Sequence, residues 1–348
     1  MVNKIRKAPN NLLVTGGCGF IGSNFIKYFL SNNKDSNVFN LDKMTYCASE
    51  KNLSSLSGDI RLNTIIGDIC DKDLVSKILE RNEIDCIVNF AAESHVDNSI
   101  KDSSSFIKTN ILGTYNLLEC SRELKDKTGK DLIFLHVSTD EVFGSLDIDD
   151  DPFTEENQYD PNSPYSASKA SSDHLVNAWH ETYGIPTLIS NCSNNYGPNQ
   201  FKEKLIPVII LNAIAGNQIP IYGDGKNIRD WLYVEDHCIA LDLIIKKGEI
   251  GETYNIGGGN ELSNISLVEK ICLVLDHRFP VTKNKKLAEK EIFSYKDLIT
   301  FVPDRPGHDF RYAIDSSKLK NLGWAQTYDT ENGLRSTIDW YLKENKEI

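Results

Sequence analysis

The sequence predicts an α/β fold in which a doubly wound parallel sheet carries a smaller, discontinuous C-terminal domain. Three observations point there. Over residues 1–140, short β-rich apolar runs alternate with amphipathic stretches long enough to cross back over a sheet, the pattern that forces parallel strands covered by helices. A glycine triplet sits where the first such run meets the first amphipathic stretch. Beyond Tyr196 the order gives way to short strands and Gly/Pro/Asn turns, as a second and smaller unit would show.

Taken in order, strands are expected over 11–15, 38–42, 62–66, 86–90 and 132–138, each a β-rich apolar run. Helices are expected over 22–30, 74–82 and 107–123, each long enough to return the chain in the right-handed sense. Residues 147–164 (DIDDDPFTEENQYDPNSP) are acidic and rich in turn formers, which suits a solvated loop over a cleft. A helix over 165–183 and a strand over 187–191 continue the sheet, and 231–245 again resembles a strand and helix of the first domain. The expected division is therefore 1–190 with 229–256 for the first domain, and 191–228 with 257–348 for the second.

Composition removes several function classes. The 348 residues carry 38 basic and 50 acidic side chains, a net charge of −12, which argues against duplex DNA or an anionic membrane surface as the main partner. Any anionic ligand must be held by local basic residues. No apolar run approaches the roughly 18 to 20 residues of a membrane span. The eight cysteines show no C-x-x-C pair and sit mostly in apolar runs, so they read as buried reduced thiols, with no metal site expected. The first eleven residues contain no apolar signal region, and a cytoplasmic protein is the expectation.

Gly16, Gly19 and Gly22 are spaced G-x-x-G-x-x-G between a predicted strand and helix. Glycine is needed there because the chain turns tightly, the backbone approaches a pyrophosphate, and the helix N-terminus must stay open to anionic oxygens. This is the short-chain form of the Rossmann loop. About twenty residues on, Asp42 ends the second strand, where a carboxylate accepts both ribose hydroxyls of NAD and repels a 2′-phosphate. Lys43 beside it leaves partial room for NADP, and NAD is the expected cofactor. Asp68, after the third strand, is placed to reach the adenine edge or to serve as a solubilising strand end.

Tyr165 and Lys169 lie four residues apart on one helix face, where an ammonium near a phenol favours the phenolate and creates a base for a sugar hydroxyl. Ser138, Thr139, Asp140 and Glu141 follow an apolar strand, the position at which a doubly wound sheet presents its reacting groups. Two adjacent carboxyls in a cleft do not share one pKa, so one is expected protonated and the other ionised. That is an acid and a base side by side.

Together, Gly16-x-x-Gly19-x-x-Gly22, Ser138-Thr-Asp-Glu141 and Tyr165-x-x-x-Lys169 resemble the extended short-chain dehydrogenase/reductases and, within them, the nucleoside-diphosphate-glucose 4,6-dehydratases; related 4-epimerases generally lack the Asp-Glu pair. Further segments match the branch acting on dTDP-glucose: Ala91-Ala-Glu-Ser-His-Val-Asp97, Asn191-Cys-Ser-Asn-Asn-Tyr-Gly-Pro198, Glu203-Lys-Leu-Ile-Pro207, Arg229-Asp-Trp-Leu-Tyr-Val-Glu-Asp-His237 and Asp304-Arg-Pro-Gly-His-Asp309. The resemblance spans about residues 11–342. Phe143 stands where that branch usually has tyrosine, and Cys47 looks more like the enzymes acting on UDP-glucose, so dTDP is expected and UDP is the alternative. A sugar-nucleotide 4-epimerase on the same scaffold, or a protein that only senses NAD, would be a more distant reading, and intact Tyr165 and Lys169 oppose the last.

The resemblance implies a three-part reaction. Tyr165, assisted by Lys169 and Thr139, takes the C4 hydroxyl proton as hydride passes to NAD; Glu141 takes the C5 proton while Asp140 protonates the departing C6 hydroxyl; hydride then returns to C6. It further implies cofactor contacts at Phe20, Ile21, Thr45, Ile69, Ala91, Ala92, Ser94 and Asn110. For the substrate it implies Arg229 and Arg305 on the diphosphate, with Asn195, Asn264 and His308 assisting, His95 and Glu203 nearby, and Lys204, Leu205, Pro220 and Tyr222 around the base. Guanidinium suits phosphate because it binds two oxygens at once. A homodimer through helices 107–123 and 165–183 is implied as well.

Overall fold

The computed structural model describes residues 5–287, 290–304 and 307–345. Its strands are β1 (Asn11–Thr15), β2 (Asn37–Asp42), β3 (Leu62–Ile66), β4 (Cys86–Asn89), β5 (Ile133–Thr139), β6 (Thr187–Cys192), β7 (Asn194–Tyr196), β8 (Ile219–Tyr222), β9 (Ile228–Tyr233), β10 (Thr253–Ile256), β11 (Glu261–Ser263) and β12 (Ile299–Val302). Seven of them form one parallel sheet in the order β10-β6-β5-β4-β1-β2-β3, with the crossover point between β1 and β4. β4 and β6 are buried along their whole length, as strands covered on both faces must be.

Each face of the sheet has its own core. On one, Phe25, Ile26 and Phe29 of helix Phe20–Asn32 meet Leu241 and Ile244 of helix Val234–Lys247. On the other, Val75 and Leu79 of helix Lys72–Arg81, Leu117 and Leu118 of helix Thr114–Thr128, and Val176 of helix Pro164–Tyr183 pack together. A third core gathers Ile209, Ile210, Leu267, Ile271, Leu334 and Ile338 around the three-stranded sheet β11-β9-β7 and the pair β12-β8.

The predicted strands of residues 1–140 and the strand after the 165–183 helix all form, with ends shifted by one residue at most. The strand expected at the start of 231–245 does not join the main sheet. It is β9, paired antiparallel with β11 and parallel with β7, and the seventh strand of the main sheet is β10. The reason is period-two alternation: Leu232 faces the first core while Trp231 and Tyr233 face the third, so one strand serves both. Asp230, also on β9 and buried, accepts from the Gly258 and Asn260 N–H groups, each at 2.7 Å, and ties the small sheet to the chain leaving β10.

Helix 107–123 forms with an irregularity. A π-helical turn, Ile107–Gly113, runs into helix Thr114–Thr128, and buried Asn110 lies within that turn. The acidic segment 147–164 is exposed at Asp149 to Asp151 yet anchored: Phe153 stacks on Phe143 at 5.2 Å, and the Arg311 guanidinium donates to the Asp147 and Asp150 carbonyls. All eight cysteines are free thiols. Among the described residues no helix is long and apolar enough to cross a membrane.

Candidate active site

A single cleft opens at the carboxyl ends of the main-sheet strands. Its nucleotide end is built on β1. Gly16 has φ +71°, and a Cβ there would stand 2.8 Å from the Ala91 nitrogen. Gly19 caps helix Phe20–Asn32 without a side-chain hydrogen bond, leaving its first-turn N–H groups for a ligand. A Cβ on Gly22 would come within 2.5 Å of the Gly16 carbonyl oxygen, so the glycine sets how closely the loop packs on its helix. Gly22→Ala is expected to weaken NAD binding by on the order of tenfold or more, because backbone must shift to admit the methyl group. Calorimetric titration of the cofactor-stripped protein with NAD checks this.

Asp42 is fixed at the end of β2, with Oδ2 accepting from the Cys18 N–H and Oδ1 from the Met44 N–H, both at 2.8 Å. Lys43 turns away from it and pairs with Asp68 at 2.8 Å. Burial alone would raise the Asp68 carboxyl, but Lys43 and the Cys70 N–H hold it below the usual range. The lysine that left room for a 2′-phosphate is thus engaged by a carboxylate. Phe20, Ile21, Thr45, Ile69, Ala91, Ala92 and Ser94 line the same cleft. Asn110 lies behind its wall, where its amide bonds the Glu93 N–H, the Glu93 carbonyl and the Ser168 hydroxyl at 2.8 to 3.0 Å.

The reacting end is built on β5 and on the start of helix Pro164–Tyr183. Ser163 and Ser166 cap each other reciprocally and Pro164 opens the first turn, so Tyr165 is presented from a well-defined helix start. Thr139 Oγ1 accepts from the Glu141 N–H and donates to Asp140 Oδ1, both at 3.3 Å. Burial holds the Asp140 carboxyl well above the usual carboxylate range, and Glu141 beside it pushes the same way. The direction favours Asp140 as the acid of the pair.

Tyr165 departs from expectation. Its environment raises the phenol well above its ordinary value, chiefly through burial and then the Glu141 carboxylate, with a Thr139 hydrogen bond opposing. The four-residue spacing predicts that Lys169 sets the phenol. Instead, burial dominates, with the Glu141 carboxylate next and Lys169 not among the causes.

Lys169 is itself buried, and desolvation draws it down to about 8 against the pull of Asp173. Its Nζ donates to the Val137 carbonyl at 2.8 Å and lies 3.1 Å from His136 Nε2. His136 Nε2 stands 3.5 Å from Asp173 Oδ1, and the Ser138 hydroxyl donates to Asp173 Oδ2 at 2.8 Å. Burial lifts Asp173 to about 6, with Lys169 opposing. His136 and Asp173 were missed in the sequence, although Tyr165, Lys169 and Asp173 fall at successive fourth positions of one helix and His136 precedes Ser138 by two on one strand.

Of the expected substrate residues, Asn195, Glu203 and Lys204 line the cleft. Glu203 accepts from the Tyr46 hydroxyl at 2.8 Å and lies 4.0 Å from His95; Lys204 donates to the Ser94 carbonyl at 2.7 Å. Leu205 opens helix Leu205–Ala215, and Pro220 and Tyr222 lie on β8, outside the cleft wall. The Tyr222 hydroxyl donates to Asp97 at 3.3 Å and its ring meets that of His308, which is bonded to Asp304 at 2.7 Å. Asn264 is buried at the start of helix Asn264–Arg278. Arg229, expected on the diphosphate, donates through its guanidinium to the Ile228, Asp309 and Phe310 carbonyls and lies 4.3 Å from the Tyr312 ring centre. A buried guanidinium turns to the acceptors around it. Arg305 lies outside the described residues. Cys47 and Glu93 also line the cleft, as do Thr109, Gln200 and Phe201, which carried no sequence signal of their own.

Residues 13–337 match the family model described as GDP-mannose 4,6 dehydratase. The chain is 49% identical to the dTDP-glucose 4,6-dehydratase of Neisseria gonorrhoeae, over 98% of this chain and 97% of that protein. Among solved structures it is similar to DesIV, the dTDP-glucose 4,6-dehydratase of Streptomyces venezuelae with NAD and dTDP bound, at a TM-score of 0.86 and 41% identity over 97% and 98% of the two chains. It is also similar to the UDP-glucose 4-epimerase of Thermotoga maritima with UDP-glucose, at a TM-score of 0.81 and 26% identity over 96% and 99%. Dehydratases and epimerases thus share the fold, and the side chains in the cleft must separate them.

Proposed function

Because the chain belongs to the GDP-mannose 4,6 dehydratase family, we propose that it removes water from dTDP-glucose to give dTDP-4-keto-6-deoxy-glucose, with NAD as its cofactor. The carrying observation is that buried Asp140, its carboxyl held well above the usual range by burial, and its neighbour Glu141 line the same cleft as Tyr165, Lys169 and the glycine loop. Dehydration needs an acid for the leaving hydroxyl and a base for the adjacent carbon; an epimerase needs neither.

The residues around the glycine loop fit a dinucleotide. Gly16 and Gly22 leave no room for a side chain, and Asp42 is held where a ribose diol would lie. When bound, NAD supplies the hydride acceptor for C4 and the donor for C6. The rest falls to the protein. Tyr165 takes the C4 hydroxyl proton, with Thr139 beside it and Lys169 beneath. Glu141 takes the C5 proton of the resulting ketone, Asp140 protonates the C6 hydroxyl as it leaves, and Glu141 later returns its proton to C5. Lys204, Glu203 and Asn195 would contact the sugar nucleotide.

Residues 1–190 with helix Val234–Lys247 and β10 would hold the cofactor, and the remainder the sugar nucleotide. The eight free thiols suit a reducing cytoplasm, and the product class serves rhamnose and other deoxysugars. Exposed Ile107, Leu112, Tyr115 and Tyr183, with Trp179 edge-on to Tyr115, form an apolar face on two adjacent helices that suits a homodimer.

The test is mass spectrometry of the products after parallel incubation with dTDP-glucose and UDP-glucose. Loss of one water from dTDP-glucose is expected. Loss only from UDP-glucose would replace the nucleotide, and a C4 inversion without water loss would replace the reaction.

A further inference from the structure

Asn195 lines the cleft, and three segments of the chain hold it. Its Nδ2 donates to the Ser193 carbonyl at 3.0 Å, its Oδ1 lies 2.9 Å from His237 Nδ1, and its main-chain carbonyl accepts from Gln200 Nε2 at 2.8 Å. Resting on the dehydratase reading, which sets Asn195 against the sugar nucleotide, we propose that His237 is a positioning residue for that contact. By donating from Nδ1 to Asn195 Oδ1 it fixes the amide, and the amide presents one N–H to an anionic oxygen of the nucleoside diphosphate.

The polarity of the pair follows from what each atom can do. A main-chain carbonyl only accepts, so the amide group facing Ser193 must be the nitrogen. The amide oxygen then faces His237, and because it too only accepts, the proton must sit on His237 Nδ1. The other ring nitrogen leads to the same tautomer. His237 is fully buried, and its Nε2 has no hydrogen-bond partner among the described residues. A proton on Nε2 would leave a buried charge with an unanswered donor, and the neutral ring protonated at Nδ1 avoids both. Burial draws the imidazole down to about 3, so the ring stays neutral and its tautomer fixed near neutral pH.

The amide nitrogen has two protons. Ser193 takes one, and the other has no acceptor among the described residues. An asparagine needs such an anchor because the torsion about its Cβ–Cγ bond is soft. His237 reaches it from helix Val234–Lys247, while Asn195 sits on β7 opposite Leu232 of β9, the strand that leads into that helix. Strand pairing thus fixes the distance between histidine and amide. Without the Nδ1 proton, Asn195 Oδ1 loses its donor and the amide turns, carrying its N–H off line. The histidine contributes direction to the contact and no charge.

Two substitutions separate the donor from the volume. His237→Phe keeps a ring and loses the N–H, whereas His237→Asn loses the ring and keeps an amide nitrogen near the place of Nδ1. Each protein, matched in NAD content, is titrated calorimetrically with dTDP and with UDP, and turnover of dTDP-glucose gives KM and kcat. For His237→Phe we expect the better-bound nucleotide to bind at least about tenfold more weakly and KM to rise alike, with kcat falling less than about threefold. His237→Asn should stay within about threefold in affinity. Asn195→Asp, which keeps the acceptor and removes the N–H, should lose at least as much affinity as His237→Phe. Undiminished affinity in His237→Phe or Asn195→Asp, equal losses in the two His237 variants, a fall in kcat with KM unmoved, or binding of neither nucleotide by the unsubstituted protein overturns the assignment. The expected titration pattern without water loss from dTDP-glucose overturns the dehydratase reading alone and leaves His237 positioning Asn195.

Discussion

Glu141→Gln is expected to halt the protein halfway, with its cofactor reduced and its sugar oxidised. Oxidation at C4 calls on Tyr165, which this variant keeps, whereas removal of the C5 proton calls on the carboxylate it loses. Loss of a positioned general base costs roughly 10² to 10⁴ in rate. On mixing with dTDP-glucose, nicotinamide absorbance should therefore rise toward one reduced cofactor per site and decay only slowly, while dehydrated product falls by that factor. The glutamine keeps the size of the side chain and removes the carboxylate that lifts both Asp140 and Tyr165, so the phenol should also titrate lower. Full turnover in this variant would remove Glu141 from the reaction.

Tyr165→Phe should fail earlier. The ring contact with Phe106, edge-on at 6.3 Å, survives in phenylalanine, so the helix start is expected to hold. What disappears is the oxygen that receives the C4 proton. Product should again fall by about 10² to 10⁴, but no reduced cofactor should accumulate, because hydride cannot leave a carbon whose hydroxyl keeps its proton. The two variants share one loss of product and differ in the colour of the trapped state. Finding reduced cofactor in Tyr165→Phe would mean that another group takes the first proton.

The legible parts of the site are those where one local rule decides the outcome. The glycine loop could be read because a tight turn before an open helix start tolerates little else, and Tyr165 with Lys169 because helix geometry brings fourth neighbours together. Asp140 could be read because an apolar strand feeding two carboxyls has few other meanings. Where neighbours from distant segments decide, reading failed. β9 alternates in a way that suits either sheet, and only the two cores around it select one. Arg229 could be read as a cation suited to phosphate, but not its hydrogen bonds to the carbonyls of Asp309 and Phe310, some eighty positions away. The phenol of Tyr165 follows Glu141 more than Lys169, a balance that depends on burial invisible in a spacing. The π-helical turn at Asn110 likewise follows from contacts with Glu93 and Ser168 that no periodicity announces.

The order of the main sheet has a metric consequence. The glycine loop leaves β1 and the reacting groups leave β5, with β4 alone between them. Neighbouring strands stand about 4.8 Å apart, so the two ends of the cleft are held roughly 10 Å from each other by main-chain hydrogen bonding. The sheet therefore works as a fixed gauge for its ligand: a molecule gripped at β1 brings chemistry to β5 only if its own span matches two strand widths. Such a gauge belongs to no side chain. Substitutions along the cleft can change what is bound or how it reacts, while the length of molecule the protein accepts is written in the backbone.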